Sequence, residues 1–156
     1  MYSIVVKGNQ QSGKSTTIRE VCRLLTPSKI RELKIKERQI GVDEIPNDRI
    51  FNGTYLLEVN GKSILVIAGA PTEQDKTVTQ IVDICIELKI PIDFIISAMR
   101  SKEMKSSFDT IHELKKMSSL LQIFKIVKID GEDFQASDEW NKRISDILKV
   151  VNENLK

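Results

Sequence analysis

Eight residues constrain this chain more than any others: Gly8-Asn9-Gln10-Gln11-Ser12-Gly13-Lys14-Ser15. They follow a β-branched run, Ser3 to Lys7, and open a helix from about Lys14 to Leu25, whose apolar stripe is Ile18, Val21, Cys22 and Leu25. Thr26-Pro27-Ser28 ends that helix, because Pro27 disfavours the helical conformation at Thr26. A strand that hands over to a helix through a glycine loop starts an α/β chain. The rest of the sequence keeps that rhythm of short β-branched runs and longer helical patterns, which predicts a mainly parallel sheet.

Thr54 to Val59 and Ser63 to Ala68 flank Asn60-Gly61, a turn dipeptide in which both residues accept positive φ, so these strands are predicted to be antiparallel neighbours. After Gly69-Ala70-Pro71-Thr72 a helix is expected from about Glu73 to Leu88, with Thr72 and Asp75 spaced like a capping box. Pro91 restarts the chain as a strand, Asp93 to Ser97. A helix from about Ser107 to Leu121, a strand Ile123 to Ile129, the turn Asp130-Gly131 and a helix Ser137 to Leu155 follow. Ile30 to Phe51 shows no period and is read as irregular, with a short strand near Gln39 to Val42.

At 156 residues the chain is read as one domain, residues 1–156, with a layer on each side of a sheet. The 24 basic and 22 acidic residues are interleaved and leave a net charge of +2, which argues against nucleic acid and anionic membranes as partners. No apolar run approaches a membrane span, and Tyr2 to Lys7 is too short for a signal peptide core. Cys22 and Cys85 both fall on apolar helical stripes, which reads as buried thiols in a reducing cytoplasm rather than a disulfide or zinc site. A single histidine, His112, precludes a histidine-based metal site.

The loop carries specific chemistry. Its glycines let the backbone N–H groups of Gly8, Asn9, Gln10, Gln11, Ser12 and Gly13 curl inward, and the helix N-terminus adds partial positive charge beneath them. Lys14 is expected to reach the β- and γ-phosphates of a nucleotide, Ser15 to ligate Mg²⁺, and Thr16 to cap and pack. The four fixed positions arise by chance in roughly one chain of this length in a few hundred. With this motif intact, the chain resembles the P-loop NTPase superfamily. The resemblance implies a three-layer fold with a mainly parallel sheet, one antiparallel hairpin strand and helices on both faces. It also implies ATP or GTP as ligand, Mg²⁺ as cofactor and Lys14 as the catalytic cation.

Beyond the loop the match is partial. The order of loop, helix, irregular segment, hairpin and helix looks like the small GTPases, whose second hairpin strand ends in Asp-x-x-Gly; here Gly69-Ala70-Pro71-Thr72 stands instead. Glu73, Gln74 and Asp75, or Asp43, Glu44 and Asp48, are the candidates to replace that acid, although Glu73 and Asp75 equally complement a helix dipole. The guanine-reading Asn-Lys-x-Asp is absent after Ile96, where Ser97-Ala98-Met99-Arg100 follows, and Arg100 is a candidate to touch phosphate or base. Lys102 and Lys105 with Arg100 read equally as a solvated loop. Lys29, Arg31, Lys34, Lys36 and Arg38, set against Glu32 and Glu37, form a modest basic segment. Trp140, Ile144, Ile147, Leu148 and Val151 form a face that docks on the sheet, and a protein partner stays open. Three functions remain: a slowly hydrolysing nucleotide switch, a small-molecule kinase, and a nucleotide-binding module without hydrolysis.

Overall fold

The first strand, β1 (Tyr2–Gly8), is buried without a break from Ser3 to Val6, the pattern of a strand covered on both faces. The structure, a computed structural model, describes residues 1–36 and 39–156. Following β1 are α1 (Lys14–Leu24), β2 (Lys29–Lys36), β3 (Gln39–Glu44), β4 (Thr54–Val59) and β5 (Lys62–Ile67). Then come α2 (Pro71–Gln74), α3 (Val78–Glu87), β6 (Phe94–Arg100), α4 (Thr110–Met117), β7 (Ser119–Lys125) and α5 (Asp138–Glu153).

The strands form one seven-stranded sheet in the order β3-β2-β4-β5-β6-β1-β7. β1 is parallel to β6, with Tyr2 opposite Phe94 and Gly8 opposite Arg100, and parallel to β7 on its other side. β5 runs parallel to β6. Beyond β5 every pairing reverses: β4 to β5, β2 to β4 and β3 to β2 are all antiparallel. The expectation of a mainly parallel sheet with one antiparallel hairpin strand therefore fails, and the sheet is an even mixture.

The residues read as irregular are the cause. In β2, Ile30 and Leu33 are the two buried positions, three apart. In a strand that spacing sends them to opposite faces. Ile30 joins the core that includes Ile4 and Ile18, while Leu33 joins the one that includes Val5 and Ile81. No clean alternation of two survives in the sequence. The Asn60-Gly61 hairpin does form, with φ of 51° and 75°.

Helices α1 and α5 cover one face of the sheet over Ile4, Val6, Val66 and Ile96. α3 and α4 cover the other over Val5, Leu65, Ile67 and Ile95. The single helix expected from Glu73 to Leu88 is two, because Asp75 adopts φ 56° and closes α2 after one turn. The capping box belongs to Thr77 and Gln80: Gln80 N donates to Thr77 Oγ1 at 3.1 Å, and Thr77 N donates to Gln80 Oε1 at 2.8 Å. Thr72 caps nothing, and its hydroxyl is buried without a hydrogen-bond partner. The helix expected from Ser107 to Leu121 shrinks to α4, because Ser118 is already extended and the chain enters β7 at Ser119. Among the described residues, no helix is long and apolar enough to cross a membrane.

Candidate functional site

The loop after β1 turns into α1 at Gly13, which holds φ 91° as the helix N-cap. That left-handed conformation is strained for any residue with a Cβ. No side chain caps α1, so Thr16 lacks the capping role expected of it. Its free N–H groups face the loop instead. Ser12 N donates to Asn9 O at 3.2 Å and pins the curl, while the Ser12 hydroxyl is buried without a partner.

Lys14 is only 7% exposed despite its charge. Its Nζ folds back onto the loop, donating to Gly8 O at 3.1 Å and Asn9 O at 2.9 Å. Burial lowers its pKa below the ordinary lysine value; the charge of Glu73 opposes that shift and Arg100 adds to it. A buried ammonium with only carbonyl partners is poised for an anion.

Ser15 Oγ lies against Asn52 Oδ1 and 3.0 Å from the Ala68 carbonyl oxygen. The Ala68 contact comes from the end of β5, although β6 stands between β5 and β1 in the sheet. Asn52 gets there because the segment before β4 docks on the end of β5: Ala68 N and Gly69 N donate to Gly53 O at 2.8 and 3.2 Å. Gly69 permits the approach, since a Cβ there would sit 2.2 Å from the Asn52 carbonyl oxygen. Sequence reasoning missed Asn52. Its only signal was the Asn52-Gly53 turn dipeptide at the edge of the irregular stretch.

Of the acids proposed to replace the missing aspartate, the structure brings one to the loop. Glu73 accepts from Arg100 Nε at 3.0 Å, joining α2 to the tip of β6. Gln74 is spent on structure, its amide donating to Gly69 O at 2.6 Å while its oxygen accepts from Thr54 Oγ1 at 2.9 Å. Asp75 pairs with Lys105 at 3.1 Å, and Asp43 pairs with Lys34 at 3.3 Å on the β2–β3 hairpin. Asp48 and Glu44 are exposed and line no part of the loop cleft. Glu37 and Arg38 of the basic segment lie outside the described residues.

These groups enclose a cleft of about 470 Å³. Gln10, Gln11, Gly13, Lys14, Ser15 and Thr16 line one side; Phe51, Asn52, Glu73 and Arg100 line the other. No protein-family model, curated protein or solved structure matches this chain. The site must therefore be read from its own chemistry.

That chemistry suits a polyanion and a hard cation. The loop offers N–H donors and one buried ammonium, and Arg100 offers a guanidinium. Ser15 Oγ, Asn52 Oδ1 and Ala68 O converge as oxygen ligands of the kind Mg²⁺ accepts, and phosphate oxygens would complete such a set. Among the described residues no group of three or more His, Cys, Asp or Glu side chains is placed to hold a metal unaided.

Proposed function

We propose that this chain binds a nucleoside triphosphate, ATP or GTP, together with Mg²⁺ and hydrolyses it slowly as a switch-like P-loop protein. The observation that carries the reading is the convergence on one cleft of Lys14, Ser15, Glu73 and Arg100 with the loop amides.

The proposed roles draw on that arrangement. Loop N–H groups and Lys14 hold the β- and γ-phosphates, with Lys14 exchanging its carbonyl partners for phosphate oxygens. Ser15 Oγ and Asn52 Oδ1 would hold Mg²⁺, which when bound neutralises charge on the same phosphates. Arg100 stabilises charge gathering on the γ-phosphate as the bond to the leaving oxygen breaks. Glu73, the one carboxylate lining the cleft, would orient the attacking water and accept its proton. The two free, buried cysteines suit a reducing cytoplasmic setting.

A second reading, binding without hydrolysis, is favoured by the Glu73–Arg100 pair itself, which occupies the carboxylate that would act on water. Incubation with Mg²⁺ and ATP or GTP, with no acceptor present, separates the two. Steady phosphate release supports the switch, and tight binding without release supports the module. Phosphoryl transfer to an added metabolite would displace both in favour of a kinase.

A further inference from the structure

The sheet ends on one side at β7, whose only strand partner among the described residues is β1. An edge strand carries a row of unpaired backbone groups, which natural chains guard with charge, proline or short length. β3, at the opposite edge, is guarded: it places Asp43 and Glu44 within six residues. β7 is not. From Leu120 past its end to Val127 the chain reads Leu-Leu-Gln-Ile-Phe-Lys-Ile-Val, with a single charge and neither proline nor glycine.

The register fixes which groups are open. Ile126 N donates to Lys7 O at 2.8 Å, so Ile126 turns its backbone groups toward β1, and by the alternation of a strand Phe124 and Gln122 do the same. Ile123, Lys125 and Val127 turn theirs outward. The Val127 carbonyl bears this out, because it accepts from Arg143 of α5 at 2.5 Å rather than from a strand. Ile123 and Lys125 keep an outward N–H and C=O each with no partner among the described residues. Beside them lies a groove of about 340 Å³. Phe124 and Ile126 line it from the strand; Glu139, Lys142, Arg143 and Asp146, one stripe of α5, line it from the helix.

We infer that this edge is an interface with a second copy of the same chain, in which β7 pairs antiparallel with its counterpart across a two-fold axis at Phe124. The spacing of the open groups suits a copy of itself. Opposing Ile123 to Lys125 of the second copy, and Lys125 to its Ile123, makes two hydrogen-bonded pairs and uses all the open groups of both residues. Each lysine then faces an isoleucine and not another lysine. Phe124 falls on the axis, opposite its own copy at the closer, non-hydrogen-bonded spacing, where aromatic pairs stabilise a ladder, and the groove gives the second ring room.

The charges favour the same occupant. The α5 stripe carries two acids and two bases, so a peptide of either sign would meet repulsion along it. Lys142 bonds Asp146 within the helix at 2.6 Å, whereas Glu139 and Lys125 have no ion pair among the described residues. The two-fold axis brings a second α5 antiparallel alongside the first, which offers bases to its acids and acids to its bases.

Sedimentation velocity over rising concentration tests this, and the chain should pass from monomer to dimer. Lys125→Pro removes an outward N–H and leaves the β1 ladder alone, a position where edge strands tolerate proline. It should weaken association on the order of a hundredfold with the far-ultraviolet circular dichroism unchanged. Single cysteines read the register. Phe124→Cys puts two thiols on the axis, with about 4.5 Å between Cα atoms, which a disulfide spans, and should crosslink under mild oxidation. Gln122→Cys, two positions off the axis, should not. The native Cys22 and Cys85 are buried and take no part. Should Lys125→Pro fail to fold, the cysteine pair decides alone. A monomer at every concentration would overturn the inference and leave the edge to a strand from another protein. A dimer whose affinity ignores a folded Lys125→Pro, or one that crosslinks through Gln122→Cys and not through Phe124→Cys, would overturn it equally.

Discussion

The sheet has two halves built on different rules. In the parallel half, β1, β5 and β6 are near-continuous apolar runs buried on both faces, with β6 buried from Phe94 to Met99, and only the edge strand β7 has no fully buried residue. In the antiparallel half, β2 is buried only at Ile30 and Leu33, and β3 has no fully buried residue. The first half gets its order from burial. The second gets it from ladder hydrogen bonds and from β4, its one well-buried strand. Parallel strands hold Gly8 and Arg100, and β1 leads through the loop to Lys14 at the start of α1, whereas the antiparallel side delivers Asn52 through the turn that leads into β4.

Breaking each half in turn should show the difference. The largest effect is expected at the centre: Ile96→Ala, at a fully buried position on β6, should cost about 3 kcal/mol in denaturant unfolding. A loss below about 1 kcal/mol would mean that the parallel half is not the stability core.

Next comes the ligand. Lys14→Ala removes the one buried cation of the loop and should weaken Mg²⁺-nucleotide binding by roughly a hundredfold by calorimetry, with little change in unfolding midpoint. Unchanged affinity for both ATP and GTP would sink the phosphate reading. In the unaltered chain, burial lowers the Lys14 pKa. Affinity is therefore complete while Lys14 is protonated and should fall as pH rises through that lowered value, at a less alkaline pH than an ordinary lysine would give.

The point where the halves meet ranks third. Gly69→Ala drives a methyl group into the Asn52 carbonyl oxygen, 2.2 Å away, and should destabilise the fold by about 2 kcal/mol. It should also reduce the Mg²⁺ enhancement of nucleotide affinity by withdrawing Asn52 from Ser15. If that enhancement is untouched, Asn52 has no share in cation binding.

The smallest effect belongs to the far edge. Ile40→Ala, at a residue 40% exposed on β3, should shift stability by less than about 0.5 kcal/mol. Amide exchange in β3 should likewise be far faster than in β1 or β6.

The same contrast sets what could be read from the amino-acid sequence. Continuous burial gives continuous apolar runs, so β1, β5 and β6 announce themselves, as does the glycine loop through its local spacing. Asn60-Gly61 is legible for a similarly local reason, since both residues take positive φ. The short strand read near Gln39 to Val42 is present as β3, but β2 and its pairing are not legible, because the buried residues of β2 serve two different cores and its pairing depends on β4 downstream. The break at Asp75 was hidden because it follows from tertiary demands on Gln74, whose amide is committed to Gly53 and Gly69. In the site, Lys14 and Ser15 were visible as a motif. Asn52 was not, since it meets Ser15 only through a backbone crossing that needs Gly69 bare. The selection of Glu73 from its acidic neighbours likewise depends on where Arg100 arrives from β6.

The position of β1 between β6 and β7 also bears on when the site can exist during synthesis. The glycine loop is among the first segments made, yet both strands that flank its own strand come from residues 94 to 125. Until those have left the ribosome, Gly8 to Ser15 has no sheet to project from, while β2, β4 and β5 are already free to pair with one another. A newborn chain would thus assemble its antiparallel half first and seat its glycine loop last, a delay that the long sequence separation of the central contacts makes slow as well as late.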